Sequence, residues 1–351
     1  MPSEPKVSDP KALSDALERR LNRRTRVKGE ISMPAAPSLL PLYIKRLAVM
    51  FAASGKKFST DELKELHDMM RPRAETAWAV SPHGRLFVSW ESEKAPASGV
   101  DYLVWHELGT TAEQYAWWVE NRDQPLFGKH PDARLMSVVD EYLTPAAQHH
   151  VLDIGAGVGR NTLPLARRGH PADALELTPE FAKIIQDQAA AEDLLVDVLT
   201  GDVLADDLVI EPRKYSLVLC TEVTSHFRGP HHLRLLFERA HQWLKPGGLF
   251  LMNAFVTTPG YRPDAMAREL SQIFWSTLFT PEDMTAAAAG MSFTKLTDHS
   301  VHDFEQEHQH ADGWPPTGWF EDWSRGFDAF GLKEGFPPME LRWLLFRKEG
   351  V

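Results

Sequence analysis

Cysteine is almost absent, because the 351 residues include only Cys220. A single cysteine cannot form an intramolecular disulfide, so the sequence favours a reducing, cytoplasmic location. Long apolar runs are absent as well. The most apolar early stretch, residues 39–53, contains Lys45 and Arg46 and is too short and too charged to span a bilayer. The polar N-terminus lacks the apolar core of a signal peptide. We therefore expect a cytoplasmic protein with no membrane partner.

Basic residues are in deficit. The chain has 38 Lys and Arg against 49 Asp and Glu, which gives a formal net charge of -11. Nucleic acids bind through phosphates that need a basic surface, so this balance predicts that nucleic acid is not a partner. The content of 43% hydrophobic and 25% charged residues is typical of a soluble globular protein, and the length suits two domains.

The sequence of the N-terminal third predicts an arm followed by a small domain. Residues 1–35 are expected to form a flexible or helical arm, in which Leu13, Leu17 and Leu21 recur every four residues. Residues 36–108 predict a small α+β domain with two helices and a β-hairpin. The second helix begins at Ser59, since Ser59 and Glu62 have the spacing of a capping box. The hairpin strands are expected at residues 86–90 and 100–105.

Residues 109–351 predict a larger domain in which strands and helices alternate. Helical patterns cover residues 110–147, and five apolar runs then alternate with helical segments. Such alternation indicates a parallel sheet with helices on both faces. The expected strands lie at residues 151–155, 172–177, 195–202, 215–220 and 248–255, with two more candidates at 293–304 and 341–346.

A glycine-rich loop, DIGAGVG at residues 153–159, follows the first of these strands. Glycines at such a turn let a ligand approach the backbone closely, and the crevice suits either a dinucleotide or S-adenosylmethionine. Arg160 occupies the position of the last glycine in the dinucleotide fingerprint. Gly201 and Asp202 follow the third strand, and a Lys-Pro-Gly-Gly turn at residues 245–248 precedes the fifth. These three details favour S-adenosylmethionine.

Residues 150–255 resemble class I S-adenosylmethionine-dependent methyltransferases. The stretch GAGVGRNTLPLARRG is similar to the tellurite-resistance-type branch and its small-molecule relatives. The resemblance implies an α/β fold, a Rossmann-like doubly wound sheet of seven strands, mostly parallel with an antiparallel last strand. It also implies S-adenosyl-L-methionine as cofactor, bound by a core at residues 150–255. An aromatic-rich insertion would occupy residues 257–335.

The resemblance implies roles for the loop residues. Gly155, Gly157 and Gly159 would pack against the methionine part of the cofactor, and Asp153 would hold its amino group. Tyr115, on a helix before the first strand, would close over the cofactor, although packing is an equally open interpretation.

Residues after the next strands complete the implied cofactor site. Glu176 would bind the ribose, a role that it would share with nicotinamide enzymes. Asp202 and the backbone of Val203 would contact adenine. Cys220 and Thr221 would flank the sulfonium, with Cys220 as a small wall residue rather than a nucleophile.

Candidate catalytic residues follow the fourth strand. Histidine titrates near neutral pH, so His226 is the first candidate for a general base, with local helix capping as the alternative. Glu222 is a second candidate and could orient a cationic group of the substrate. Tyr261, Trp314 and Trp319 are candidates for an aromatic substrate pocket, together with the neighbouring Trp275 and Trp323, and core packing is the alternative.

Three late histidines do not predict a metal site. His302, His308 and His310 lie in a polar, acidic run without a cysteine partner, which is more typical of a solvated loop. We therefore expect no metal ion.

The function that these patterns predict is S-, O- or N-methylation of a small molecule by in-line methyl transfer. The N-terminal domain would then serve as a lid, a specificity module or the contact of a homodimer. Three alternatives stay open at this point. They are a protein or nucleic-acid methyltransferase that uses the N-terminal domain for recognition, a nicotinamide-dependent oxidoreductase and a non-catalytic cofactor-binding protein.

Overall fold

The structure is a computed structural model that describes residues 9–53, 55–93, 100–121 and 127–350. The chain forms two compact units, Met1–Thr110 and Thr111–Val351. None of the helices in these described ranges is long and apolar enough to cross a membrane.

The first unit contains the elements α1 (Pro10–Arg24), β1 (Lys28–Pro34), α2 (Leu40–Ala53), α3 (Thr60–Val80), β2 (Arg85–Ser92) and β3 (Val100–Glu107). Its strands form an antiparallel sheet in the order β1-β2-β3. Helix α3 begins with the capping box expected at Ser59, whose hydroxyl accepts from the Glu62 amide while the Glu62 carboxylate accepts from the Ser59 amide. The predicted turn at residues 94–99 lies outside the described residues.

Strand β1 corrects the expectation of an arm at residues 1–35. Helix α1 does form, but residues 28–34 pair with β2 along their whole length, from Lys28 opposite Glu91 to Pro34 opposite Arg85. The strand is half-exposed at the sheet edge, so its sequence has little of the apolar alternation that marks a strand.

The second unit is a sheet with helices on both faces. Its helices are α4 (Thr111–Asn121), α5 (Ala133–Tyr142), α6 (Thr162–Arg167), α7 (Pro179–Ala191), α8 (Pro230–Trp243), α9 (Ala265–Ile273), α10 (Pro281–Ala288), α11 (Val301–His308), α12 (Phe320–Ser324) and α13 (Phe327–Phe330). Its strands are β4 (Val151–Ile154), β5 (Ala172–Glu176), β6 (Val196–Thr200), β7 (Tyr215–Cys220), β8 (Leu244–Thr257), β9 (Leu278–Phe279), β10 (Phe293–Ser300) and β11 (Met339–Lys348).

The sheet has the order β10-β11-β8-β7-β4-β5-β6, with β9 paired to β8. Strands β4 to β8 pair in parallel, and β11 runs antiparallel between β8 and β10. The predicted Rossmann-like α/β fold with an antiparallel last strand is confirmed. The two-residue β9 is an addition to the seven expected strands.

The core has one apolar layer on each face of this sheet. On β7, Val218 and Cys220 pack into one layer while Leu217 and Leu219 pack into the other, as the alternation of a strand requires. Helix α8 covers the first layer with residues at helical spacing, among them Leu233 and Phe237. Because both faces are covered, only the strand ends remain for a ligand.

Two of the three late histidines lie in a helix and not in the expected solvated loop. Strand β10 ends at Ser300, earlier than the expected Phe304, and α11 follows at once with the Ser300 hydroxyl accepting from the Asp303 amide. His302 is buried in this helix, and only His310 falls outside it. The polar residues of this run lie on the outer face of α11, and the inner face of this helix packs against the sheet.

Candidate active site

A cavity of about 660 Å³ opens where the carboxyl ends of β4, β5, β6 and β7 meet. Such a crevice is the usual ligand site of doubly wound sheets. The lining residues that the structure describes lie between Thr111 and Asp328, within the second unit.

The glycine loop forms the floor of the cavity. Gly155 and Gly157 line it and have φ of +69° and +57°, which side chains rarely adopt. A Cβ at Gly155 would overlap the Val223 side chain, and one at Gly157 would lie 3.6 Å from the Phe127 ring. The loop therefore requires glycine for its backbone shape and for the space above it.

Gly159 has a different role from the one expected. It does not line the cavity, and a Cβ there would lie 2.9 Å from Leu163 and 3.3 Å from Ile185. The third glycine therefore lets α6 and α7 pack closely, and it is placed beneath the ligand site rather than in it.

Two buried carboxylates face the cavity from β4 and β5. Asp153 accepts a hydrogen bond from the Thr162 hydroxyl at 2.6 Å, and burial raises the pKa of Asp153 to about 7. Glu176 accepts from the amides of Gly157 at 2.7 Å and Thr178 at 2.8 Å. Burial raises the pKa of Glu176, and these hydrogen bonds oppose that rise. The glycine loop is thus tied to the carboxylate expected to bind a ribose.

Asp202, Val203 and Thr221 also line the cavity, each just after a strand. The exposed Asp202 accepts from the Leu204 amide at 2.8 Å. Cys220, expected beside the sulfonium, does not line it. The last residue of β7 still points to a sheet face, so the Cys220 side chain is fully buried in the core, and burial raises the pKa of its thiol. This corrects the prediction for Cys220.

Arg160 links two carboxylates beside the cavity. Its guanidinium is bonded to Asp132 at 2.5 Å and to Glu222 at 3.1 Å and is almost fully buried. Asp132 also accepts from the Asn161 side chain at 2.8 Å. Burial alone would lower the pKa of Arg160, but Asp132 and Glu222 raise it above its ordinary value. The residue that replaces a dinucleotide glycine is therefore a fixed buried cation.

Glu222 is held in an unusual backbone conformation. Its φ is +60°, and its amide donates to the Asn253 side chain at 2.7 Å. Burial raises the pKa of Glu222 to about 7, with Arg160 opposing the rise. A strained backbone and a carboxylate that titrates near neutrality are both typical of functional sites.

His226 and Tyr115 meet at the cavity. The Tyr115 hydroxyl lies 2.9 Å from His226 Nε2, and both rings pack edge-on against Trp275. Burial raises the pKa of Tyr115 well above its ordinary value, so the phenol keeps its proton. The expected cofactor contact and the expected base are thus brought into one hydrogen-bonded pair.

Tryptophans form the wall farther along the chain. Trp275 has φ of +58°, and its carbonyl accepts from the Trp323 indole at 3.0 Å. Trp319 packs edge-on against Trp323, with ring centroids 5.2 Å apart. All three rings line the cavity.

Two of the expected substrate residues are not in this wall. Trp314 packs edge-on against His302 and Phe320 in the core between the sheet and the insertion. Tyr261 is half-buried after β8 and outside the lining. The aromatic composition predicted a pocket, but it could not separate core rings from lining rings.

Among the described residues, no group of three or more His, Cys, Asp or Glu side chains has the arrangement of a metal site.

Several lining residues were missed in the sequence analysis. Phe181 follows the helical spacing of α7, which could have indicated a face turned to the sheet edge. Phe127 and Asp328 come from distant segments, and only the fold brings them to the cavity. Asp132 is not part of the lining and reaches the site only through its contact with Arg160.

Residues 151–248 match the family model described as a methyltransferase domain. The ubiquinone biosynthesis O-methyltransferase of Xanthomonas campestris pv. campestris (strain B100) is 30% identical over 145 residues, which cover 41% of this chain and 57% of that protein. The mitochondrial ubiquinone biosynthesis O-methyltransferase of Mus musculus is 29% identical over 156 residues, or 41% of this chain and 40% of that protein. The chain thus spans about half the length of these curated relatives.

A similar fold occurs in geranyl diphosphate C-methyltransferase from Streptomyces coelicolor A3(2), solved in complex with Mg²⁺, geranyl-S-thiolodiphosphate and S-adenosyl-L-homocysteine. The TM-score is 0.51 at 14% identity, and the match covers 68% of this chain and 99% of that one. At this identity the likeness supports the fold alone.

Proposed function

We propose that this chain, which carries a class I S-adenosylmethionine-dependent methyltransferase domain, methylates a hydroxyl or amino group of a small molecule. The observation that supports this most directly is the shared cavity. The glycine loop and acidic residues of a methyl-donor site line one part of it, and the Tyr115–His226 pair and the tryptophans line the rest.

The residues present fit the cofactor. S-adenosylmethionine has an ammonium group, ribose hydroxyls and an adenine amino group, and the cavity has a carboxylate for each in Asp153, Glu176 and Asp202. The raised pKa of Asp153 is the mark of a buried carboxylate that a cation would stabilise. When bound, the cofactor supplies an electrophilic methyl group on a sulfonium.

Oxygen and nitrogen acceptors must lose a proton, and the chain supplies a group to take it. We assign this role to His226, with Tyr115 as the residue that orients the imidazole through its 2.9 Å hydrogen bond. Glu222 is the second proton acceptor at this edge of the cavity, since its pKa is about 7. A thioether acceptor would need neither group.

A small acceptor suits the cavity and the charge of the chain. The volume of about 660 Å³ lies in the range of small-molecule sites. The net charge of -11 disfavours nucleic acid, and the relatives are named for O-methylation. A hydroxyl group is therefore the acceptor that we favour.

Thermal unfolding with added ligands tests the cofactor assignment. S-adenosylmethionine and S-adenosylhomocysteine should raise the unfolding midpoint, because a ligand that binds the native state stabilises it, and NAD should not. A shift with NAD and none with either adenosyl compound would contradict the proposal.

Measurements of turnover test the identity of the methyl acceptor and of the general base. Release of S-adenosylhomocysteine is followed with panels of small phenols, alcohols, amines and thiols. With the best acceptor, His226→Ala should lower kcat by about a hundredfold or more and leave S-adenosylhomocysteine affinity unchanged. Tyr115→Phe should have a smaller effect. If Glu222→Gln lost turnover while His226→Ala kept it, the base would be Glu222.

A further inference from the structure

Asp328 is a carboxylate in the cavity wall that the proposed chemistry does not use. It lies in the first turn of α13 and lines the same cavity as Trp319 and Trp323. Within the described ranges, no residue forms an ion pair or a side-chain hydrogen bond with this carboxylate. Asp328 is exposed, but partial loss of solvent raises the pKa of its carboxyl group, and the neighbouring Asp322 raises it further.

The other charged groups of the lining are already matched. Glu222 is paired with Arg160, which is the one Arg or Lys among the described lining residues. Asp153, Glu176 and Asp202 face the cofactor in the proposed function. Asp328 is then the carboxylate left to meet the acceptor, and an anionic acceptor would be repelled there.

The rings that line the cavity together with Asp328 suit a cation as well. A tryptophan face attracts an ammonium or guanidinium group by about 0.5 to 2 kcal/mol, and more strongly where water is excluded. Trp323 is held in place by its indole hydrogen bond to the Trp275 carbonyl and by its edge-on contact with Trp319. The buried Trp323 and the half-buried Trp319 therefore form a fixed aromatic wall of the cavity, which the exposed, unneutralised Asp328 also lines.

We propose that the methyl acceptor carries an ammonium group, which Asp328 and the faces of Trp319 and Trp323 hold while the acceptor atom points toward His226. This inference rests on the proposed function, since it assigns the remaining part of the same cavity to the acceptor.

The test uses three phenols of similar size and different charge. They are tyramine, a cation; 4-ethylphenol, which is neutral; and 4-hydroxyphenylacetate, an anion. Binding to the full chain saturated with S-adenosylhomocysteine is measured by calorimetry, so that no turnover occurs. Tyramine should bind about tenfold more tightly than 4-ethylphenol, and the anion should bind most weakly.

Variants then assign the preference to its residues. Asp328→Asn and Trp319→Leu should each remove most of the preference for tyramine, and Trp319→Phe should keep part of it because a ring face remains. Asp322→Asn removes a neighbouring charge that does not line the cavity and should change the preference by less than about twofold. S-adenosylhomocysteine affinity should stay the same in every variant.

Failure of this inference is distinct from failure of the proposed function. If S-adenosylhomocysteine does not bind, the proposed function fails. If it binds but tyramine shows no advantage over 4-ethylphenol, or does not bind, the cationic acceptor is wrong and the methyl-donor site stands. An unchanged preference in Asp328→Asn would also overturn the assignment.

Discussion

Asp153 is a carboxylate whose protonation near neutral pH depends on whether a cation lies beside it. Its folded pKa of about 7 lies above the ordinary value of 3.8 because the side chain is buried. A group shifted in this direction stabilises the fold at low pH, and that contribution is lost as the pH rises through about 7. A bound ammonium group would favour the ionised form of Asp153 and so reverse the preference of this buried side chain for the protonated form.

The affinity for S-adenosylhomocysteine should therefore rise with pH. Between about pH 6 and about pH 8 the ionised fraction of Asp153 increases roughly tenfold, and the association constant should follow it. Asp153→Asn cannot ionise, so most of the dependence should disappear. Calorimetric titrations at several pH values provide the measurement, and an equal pH dependence in both proteins would contradict the role of Asp153.

A substitution at Gly157 tests whether the glycine loop binds the cofactor. Gly157→Val would place a branched side chain at φ +57° in the cavity floor, and S-adenosylhomocysteine binding should be lost. Gly247→Val is the matched control, since Gly247 has φ +79° with no atom within 4 Å of its added Cβ. Both variants should lose stability through backbone strain, about 1 to 2 kcal/mol. Only the first should lose the ligand, and binding by both would remove the loop from the site.

The turn between α12 and α13 is the element that carries the aromatic wall. Gly326 separates the two helices with φ +82°, and a Cβ there would overlap the Met339 carbonyl of β11. The turn therefore packs backbone against backbone, and this packing places Trp323 and Asp328 on either side of it.

Gly326→Ala should be costly for this reason. The left-handed conformation and the overlap together should lower the free energy of unfolding by about 2 to 3 kcal/mol. Gly331 has φ +60°, but no atom lies within 4 Å of a Cβ added there. Gly331→Ala should therefore lower the free energy of unfolding by only about 1 kcal/mol. The free energy of unfolding of both variants is measured with urea, and the difference between them gives the cost of the contact with β11. Equal losses of stability in the two variants would mean that the backbone strain alone accounts for the effect.

Elements whose signals are local could be predicted from the sequence. The strands of the sheet, the glycine loop, and Glu176 and Asp202 each follow from a short stretch of chain. Contacts between distant segments could not be predicted. No spacing rule joins Asp132 to Arg160 and Glu222, because the pairing depends on where α5 meets β4 and β7.

The errors in the predicted site have two causes, the direction in which a side chain leaves its strand and the tertiary packing of the aromatic rings. Cys220 ends its strand next to the cavity, yet the alternation of β7 turns its side chain into the core. Trp314 and Trp319 are five residues apart, and only the second reaches the cavity. Composition indicates how many rings a segment offers, but tertiary packing decides which of them meet a ligand.

At the scale of the whole molecule, the described part of the site lies in the second unit. Each lining residue among those that the structure describes falls within residues 111–351. Residues 111–351 produced alone should therefore unfold cooperatively and bind S-adenosylhomocysteine within about threefold of the full chain, a difference below 1 kcal/mol. Circular dichroism and calorimetry provide the measurements. Loss of binding by a folded fragment would mean that the first unit contributes to the site.

The order of the chain within this unit has a consequence for how such a protein changes over generations. The glycine loop and the three carboxylates that we propose for the methyl donor lie between Asp153 and Asp202, whereas the tryptophan wall and Asp328 lie after Ile273. Mutations in the later segment can alter what is methylated while the donor segment is inherited unchanged. Under the proposed function, selection for a new acceptor would thus accumulate substitutions in α12 and α13, and a lineage could diversify its chemistry without ever losing its cofactor.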